Sequence, residues 1–160
     1  MKLGLITFAS LMIFGSVARA EFVDDPAPTA ELKPFFTDGC TGFVDGPPGR
    51  SKLWHHCCFE HDLRYWFGGQ ESDMDFADRE LRACVKDVAG SGWAKVIYKG
   101  VRVGHSSPIK SKTHWSWGWT PSRRKSPLTR TEVEMVEMEL RALDLEPAYV
   151  DGFITKYLRK

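Results

Sequence analysis

A histidine and an aspartate, His61 and Asp62, are adjacent in the sequence and have side chains that can act in catalysis and metal binding. A neutral imidazole can accept a proton near neutral pH, and a carboxylate is a good ligand for a hard cation such as Ca²⁺. Cys57 stands four residues before His61, and Cys58 stands four residues before Asp62. On a helix each such pair shares a face, and the two faces differ by about 100°. The spacing therefore predicts a general base beside a cation ligand.

Two helices are predicted to position this pair. Residues 53–67 contain no Gly or Pro and are followed by Gly68-Gly69, which is typical of a helix that ends there. A second helix is predicted from about Ser72 to Val88, with Ser72 as its N-cap, acids in its first turn and Gly90 as its end. Because only a short Gly-Gly turn separates them, the two helices are expected to be antiparallel neighbours.

The first twenty residues have the form of a cleavable signal peptide. Lys2 gives a positive start, residues 3–17 form an apolar run, and Ala18-Arg19-Ala20 has the small-x-small form of a cleavage site. The run is too short for a membrane span of about 20 residues. We expect cleavage after Ala20 and a secreted or periplasmic product without a transmembrane span; an uncleaved anchor is the alternative. Residues 21–37 are then an N-terminal segment, and residues 38–160 form a single domain.

Export determines how the four cysteines are interpreted. An even number of cysteines in an oxidising compartment favours disulfides over metal ligation. Cys57 and Cys58 are adjacent, and a bond between neighbours departs from ordinary disulfide geometry, so each needs a distant partner. Cys40 can pair with either of them and Cys84 with the other, which leaves two pairings open. In both pairings Cys40 and Cys84 fasten the first helix from different sides.

These residues resemble the secretory phospholipase A2 family of the short microbial type. The run from Cys57 to Tyr65 is similar to the family pattern C-C-x-x-H-D with a tyrosine four residues beyond the histidine, and the resemblance extends over about residues 38–84. It implies a mainly α fold in which two antiparallel, disulfide-linked helices carry the active site and further helices follow. It also implies a calcium-dependent hydrolase that cleaves the sn-2 ester of glycerophospholipids through a water activated by a His/Asp pair.

The resemblance assigns the catalytic residues by position. His61 is the implied general base, and Asp78 is the implied acid that orients it, because the family places this acid six residues before the second-helix cysteine, here Cys84. Tyr65 is the implied support of that acid. Helical phase alone would not select Asp78, since six residues rotate by about 600°. Two other acids of the second helix therefore stay open as alternatives, Asp75 and Glu80.

The resemblance also implies a calcium site. Short microbial relatives use an acidic side chain two residues before the loop cysteine and the carbonyl just before it, which by position are Asp38 and Gly39, together with Asp62. The animal pattern would instead use three loop carbonyls, by position those of Gly39, Thr41 and Phe43. Asp45 stays open as a further ligand.

Charge is distributed unevenly along the chain. The sequence has 22 basic and 21 acidic residues, and without Lys2 and Arg19 of the signal peptide its net charge is −1, which excludes a uniformly basic nucleic-acid binder. Residues 89–130 nevertheless contain nine bases and no acid. The tryptophans of this basic middle are Trp93, Trp115, Trp117 and Trp119. If residues 115–119 are extended, their three indoles share one side, and they are candidate contacts with an anionic phospholipid surface; a position in the core is the alternative.

The rest of the chain is also predicted to be helical. A third helix from Trp93 to Val103 is expected to cover the first two. Thr131 and Glu134 have the spacing of a capping box, and Pro147 separates the apolar stripe that follows from a second one. These C-terminal helices, within residues 131–160, are expected to pack on the core of a monomer.

Two other functions fit the same residues. A zinc site could draw on Cys58 and His61 with the nearby His55, His56 and Cys40, although export and the adjacent cysteines disfavour it. A phospholipase-like fold without catalysis could instead serve as a membrane- or protein-binding module, because a fold does not determine a function. The complete set of base, cation ligand and supporting tyrosine favours the enzyme.

Overall fold

A computed structural model describes residues 30–106 and 112–159. Within these ranges the chain forms five helices: α1 (His55–Phe67), α2 (Glu71–Ala89), α3 (Ser91–Ser106), α4 (Arg130–Ala142) and α5 (Pro147–Tyr157). Two short strands, β1 (Glu31–Leu32) and β2 (Trp119–Thr120), pair in antiparallel fashion. The mainly α fold is confirmed, whereas the predicted signal peptide, residues 1–20, lies outside the described residues. No helix in the described ranges has the length and apolar character needed to cross a membrane.

Helices α1 and α2 form the predicted antiparallel pair. Residues in contact run in opposite order along the two helices: Cys57 with Cys84, His61 with Asp78, and Arg64 with Asp73. The turn between the helices is made by Gly68 and Gly69, whose φ values of 72° and 138° lie in the region that side chains other than glycine rarely adopt. The disulfides are confirmed, and of the two open pairings the structure has Cys40–Cys58 and Cys57–Cys84.

Helices α2 and α4 begin earlier than predicted. Gln70, not Ser72, is the N-cap of α2, because the side chain of Asp73 turns back to accept the backbone N–H of Gln70 at 3.2 Å. In α4 the capping box is formed by Thr129 and Glu132 and not by Thr131 and Glu134. Both pairs have the capping-box spacing. The carboxylate of Glu132 also accepts a bidentate pair of hydrogen bonds from the Arg123 guanidinium, each 2.8 Å long, which favours the pair Thr129 and Glu132.

The described chain is organised around two clusters of buried side chains that lie on opposite parts of α1. The larger cluster joins the end of α1 to α4, α5 and the Trp-rich segment; it includes Trp66, Phe67, Trp119, Val136, Leu140, Phe153 and Ile154. The smaller cluster joins the start of α1 to α2 and α3; it includes Trp54, Cys57, Cys58, Leu81, Val85, Ala94 and Ile97. Leu32 and Phe35 of the predicted N-terminal segment pack on the larger cluster. Helix α1 is therefore fixed at both ends by buried side chains.

The Trp-rich segment packs inside the protein and not on its surface. The side chains of Trp117 and Trp119 are 7% and 2% exposed, and Trp115 is half-buried against the core. The chain turns at Ser116, where φ is 64°, so residues 115–119 do not form the extended run that would place three indoles on one side. The interpretation of Trp117 and Trp119 as membrane contacts is therefore wrong, because packing on the core has removed these two indoles from the surface. Trp115 keeps part of its surface and packs on the same core.

This segment also completes the end of α1. The last carbonyls of a helix have no partner within the helix and need donors from elsewhere. Three such carbonyls accept hydrogen bonds from the Trp-rich segment: Tyr65 O from Ser116 N at 2.7 Å, Trp66 O from Gly118 N at 3.0 Å, and Phe67 O from Trp119 Nε1 at 2.8 Å. Gly118 is required here, since a Cβ at this position would lie 2.4 Å from the Trp66 ring. The segment thus caps the helix that carries His61.

Candidate active site

His61, Asp78 and Tyr65 lie together between α1 and α2. The distance from His61 Nε2 to Asp78 Oδ1 is 3.0 Å, and the Tyr65 hydroxyl donates to the same oxygen at 2.8 Å. Asp78 has no exposed surface, and His61 retains 9%. The other acids that the sequence left open point elsewhere: Asp75 pairs with Arg102 at the surface, and Glu80 pairs with Lys156. Of the three candidate acids, Asp78 is the one in contact with His61.

The protonation of this pair follows from its surroundings. Burial lowers the pKa of His61, and the hydrogen bond and charge of Asp78 offset only part of this effect, so the ring is neutral near neutral pH. Burial alone would raise the pKa of Asp78, but the bonds from His61 and Tyr65 and the charge of His61 bring it below its ordinary value. An ionised carboxylate can only accept, so Nε2 of His61 carries the ring proton and Nδ1 is the basic nitrogen.

The loop before Cys40 is held against Asp62. The Cys40–Cys58 disulfide joins this loop to the first turn of α1, one turn from Asp62. Thr37 Oγ1 donates to Asp62 Oδ2 at 2.6 Å and accepts the backbone N–H of Gly39 at 3.0 Å. Asp38 Oδ1 accepts the hydroxyl of Thr41 at 2.7 Å. Thr37, which the sequence did not single out, is therefore the direct link between the loop and the predicted cation ligand.

The electrostatics around Asp62 favour a bound cation. Burial raises the pKa of Asp62 to about 7; the hydrogen bond from Thr37 lowers it, and the charges of Asp38 and Asp45 raise it further. A buried carboxylate near two other negative charges is unfavourable unless a positive charge compensates it. Asp38, Asp62 and the Gly39 carbonyl offer only oxygen atoms, which is the donor set that hard cations such as Ca²⁺ prefer. These residues fit a calcium ion.

Asp45, the possible further calcium ligand, stabilises the loop around Cys40. Its Oδ1 accepts the backbone N–H of Cys40 at 2.8 Å, and its Oδ2 lies 3.3 Å from Nδ1 of His55. It also explains why residue 39 is glycine: φ is 74°, and a Cβ there would lie 2.5 Å from Asp45 Oδ1. Both oxygens of Asp45 are thus engaged by the loop and by α1.

Two residues of α3 also contact Asp78, and neither is among the predicted site residues. Arg102 NH1 lies 3.3 Å from Asp78 Oδ2, and His105 Nε2 lies 3.5 Å from the same oxygen and contacts the Tyr65 hydroxyl. The third helix was predicted to end at Val103, but it continues to Ser106. The available signal was the spacing of Arg102 and His105, which are three residues apart and share a face once the helix is long enough.

The disulfides remove the cysteine ligands that a zinc site would need. Among the described residues, two groups of three potential ligands have atoms within 4.8 Å of one another: His56 with Cys57 and Cys84, and Cys40 with Asp45 and Cys58. All four cysteines in these groups are bonded in disulfides. Because zinc binds the thiolate form of cysteine, neither group can supply the sulfur ligands of such a site.

Comparison with known proteins adds no relative. No protein-family model, no curated protein and no solved structure matches this chain.

Proposed function

We propose that this protein is a secreted, calcium-dependent phospholipase A2-like hydrolase that cleaves the sn-2 ester of glycerophospholipids. The observation that carries the proposal is the buried His61–Asp78 contact of 3.0 Å, one residue from an Asp62 that faces an oxygen-rich loop. A base with its orienting acid and an adjacent cation ligand form a minimal apparatus for ester hydrolysis by water. The two disulfides fit an oxidising compartment outside the cytoplasm.

The residues of the dyad have defined tasks in this reaction. Nδ1 of His61 takes a proton from a water molecule as the water oxygen attacks the ester carbonyl carbon. Asp78 keeps the other ring proton on Nε2 and stabilises the positive imidazolium that forms. When the tetrahedral species collapses, the bond to the glycerol oxygen breaks, and the leaving oxygen takes the proton from Nδ1. The products are a free fatty acid and a lysophospholipid, and His61 is neutral again.

The cation site would supply the electrophilic half of the chemistry. Asp62, Asp38 and the carbonyl of Gly39 are the residues that would hold the ion. Calcium bound there would polarise the ester carbonyl and stabilise the oxyanion. Thr37 and the Cys40–Cys58 disulfide keep these ligands in place.

Loss of a calcium ligand is expected to abolish most of the activity. Asp62→Asn should lower calcium-dependent fatty-acid release at least about 100-fold, because a metal ion supplies several kcal/mol of transition-state stabilisation. The measurement is fatty-acid release from phospholipid vesicles with calcium and with a chelator. The matched control is Asp144→Asn, which changes an exposed aspartate between α4 and α5 and should leave the rate unchanged.

The same assay separates the enzyme from the alternative function. If folded wild-type protein releases no fatty acid with calcium over a range of lipids, the enzyme is refuted. The catalytically inactive membrane- or protein-binding module would then be the better proposal. Activity that is unchanged by chelator and by Asp62→Asn would contradict the calcium site but not the dyad.

We place the contact with the phospholipid surface on α3 and the calcium loop, in place of the buried tryptophans. Trp93, Val96 and Val103 follow helical spacing on α3 and remain 38%, 50% and 71% exposed. The Trp93 ring lies 6.2 Å from the ring of Phe43, which is 42% exposed next to the loop that carries Asp38. Two exposed bases of α3 flank this apolar face, Lys95 and Lys99. Apolar side chains bordered by bases suit an anionic bilayer surface.

Removal of this apolar face is expected to weaken membrane binding. A Trp93→Ala/Val96→Gln variant should bind vesicles that contain phosphatidylglycerol at least about tenfold more weakly, since burial of one large apolar side chain contributes about 1.5–3 kcal/mol. Vesicle sedimentation measures the binding. Met138→Gln is the control, because Met138 is 63% exposed on α4. Equal binding by the double variant and the wild type would refute this assignment.

A further inference from the structure

Asp78 lies where three helices meet, and its two oxygens have different partners. Oδ1 faces α1 and accepts from His61 and Tyr65. Oδ2 faces α3, with Arg102 NH1 at 3.3 Å and His105 Nε2 at 3.5 Å. Asp78 therefore accepts three hydrogen bonds, from His61, Tyr65 and Arg102, and His105 lies at ion-pair distance while its Nε2 contacts the Tyr65 hydroxyl. The orientation of the acid therefore depends on α3 as much as on α1.

We propose that Arg102 and His105 are positioning residues that hold Oδ2 of Asp78 and thereby fix the oxygen that orients His61. This inference rests on the proposed function for its catalytic consequence. Both residues contact Asp78 and act through it. Arg102 also pairs with Asp75, so one guanidinium spans two carboxylates that are three residues apart on α2. The His105 ring stacks on Tyr65, with ring centroids 5.8 Å apart and an angle of 25°.

The geometry explains why both groups are needed. The carboxylate of Asp78 has no exposed surface, and an unpaired buried oxygen is unfavourable. If Oδ2 loses its partners, the carboxylate is expected to rotate toward other donors and to loosen the bond to His61. Packing of α3 on α2 through Leu81, Val85, Ala94 and Ile97 sets the distance at which both side chains reach Asp78.

The experiment compares an Arg102→Gln/His105→Ala variant with the conservative pair Arg102→Lys/His105→Gln. On a dispersed short-chain phospholipid, the first variant should have a kcat at least tenfold lower with an unchanged KM, and the conservative pair should recover most of the loss. Lys86→Gln is the charge-matched control, because Lys86 is exposed on α2. The first variant should unfold at a lower temperature than the wild type, because Asp78 loses donors, but it should be folded at the assay temperature, and calcium affinity should match that of the wild type in all variants.

A second measurement does not need activity. The Nε2–H proton of His61, observed by NMR, should exchange with water at least tenfold faster in Arg102→Gln/His105→Ala than in the wild type or in Lys86→Gln. Unchanged exchange in the folded double variant would overturn the proposal, as would a loss of kcat that the conservative pair does not restore. A wild-type protein without activity would refute the proposed function, and the exchange rate would still decide whether α3 positions Asp78.

Discussion

Replacement of His61 by Gln is expected to lower calcium-dependent fatty-acid release about 1000-fold, within the range that general-base catalysis contributes. The glutamine amide can still donate a hydrogen bond to Asp78, so the buried acid keeps a partner and the helix pair is preserved. The amide has no basic nitrogen, however, and the proton of the attacking water has no acceptor in the position of Nδ1. The measurement is the initial rate of fatty-acid release from vesicles at saturating calcium.

Two controls make this result specific to the base. The His61→Gln variant should unfold at a temperature close to that of the wild type, and it should bind calcium with the same affinity, because Asp62 keeps its contact with Thr37. A His61→Ala variant should lose the same activity but also stability, since it leaves Asp78 without one of its donors. A His61→Gln protein that keeps more than a tenth of the wild-type rate would show that His61 is not the base.

The helix pair and its residues were predictable because the signals are local. A run without Gly or Pro, a Gly-Gly turn and acids in a first turn define α1 and α2, and the spacing of Cys57 and His61 places both on one face of α1. The resemblance indicates Asp78, whereas the helical phase relative to Cys84 does not. The phase does not decide the position, because α2 is covered by α1 on one side and by α3 on another. Asp78 lies at the boundary of the two.

The residues that the sequence missed all depend on contacts between distant segments. Thr37 reaches Asp62 only because the Cys40–Cys58 disulfide folds the loop onto α1. Arg102 and His105 reach Asp78 only because α3 packs on α2 and extends beyond Val103. No local pattern marks a threonine as part of a site, and the spacing of Arg102 and His105 is informative only once α3 extends to Ser106. These positions become visible only when three helices and the loop are placed together.

The burial of the Trp-rich segment has a related physical cause. Alternation of large and small residues at 115–119 is the pattern of a strand with one apolar face, and the neighbouring excess of bases favours a membrane surface as the partner of that face. The pattern does not reveal that the end of α1 lacks donors for its carbonyls. Ser116, Gly118 and Trp119 supply them, and the turn at Ser116 that this requires removes the alternation.

Substitution at Trp119 tests this structural role with a large expected effect. Trp119→Ala should lower the free energy of unfolding by about 3–5 kcal/mol, because it removes a fully buried aromatic side chain. Trp119→Phe keeps most of the ring but leaves the Phe67 carbonyl without its donor, and about 1–3 kcal/mol should be lost. Urea unfolding gives both values, and Trp93→Phe, at a position 38% exposed, should cost about 0.5 kcal/mol or less. Folded Trp119→Phe should bind anionic vesicles as the wild type does. Weaker binding with unchanged stability would instead indicate that Trp119 contacts the membrane surface.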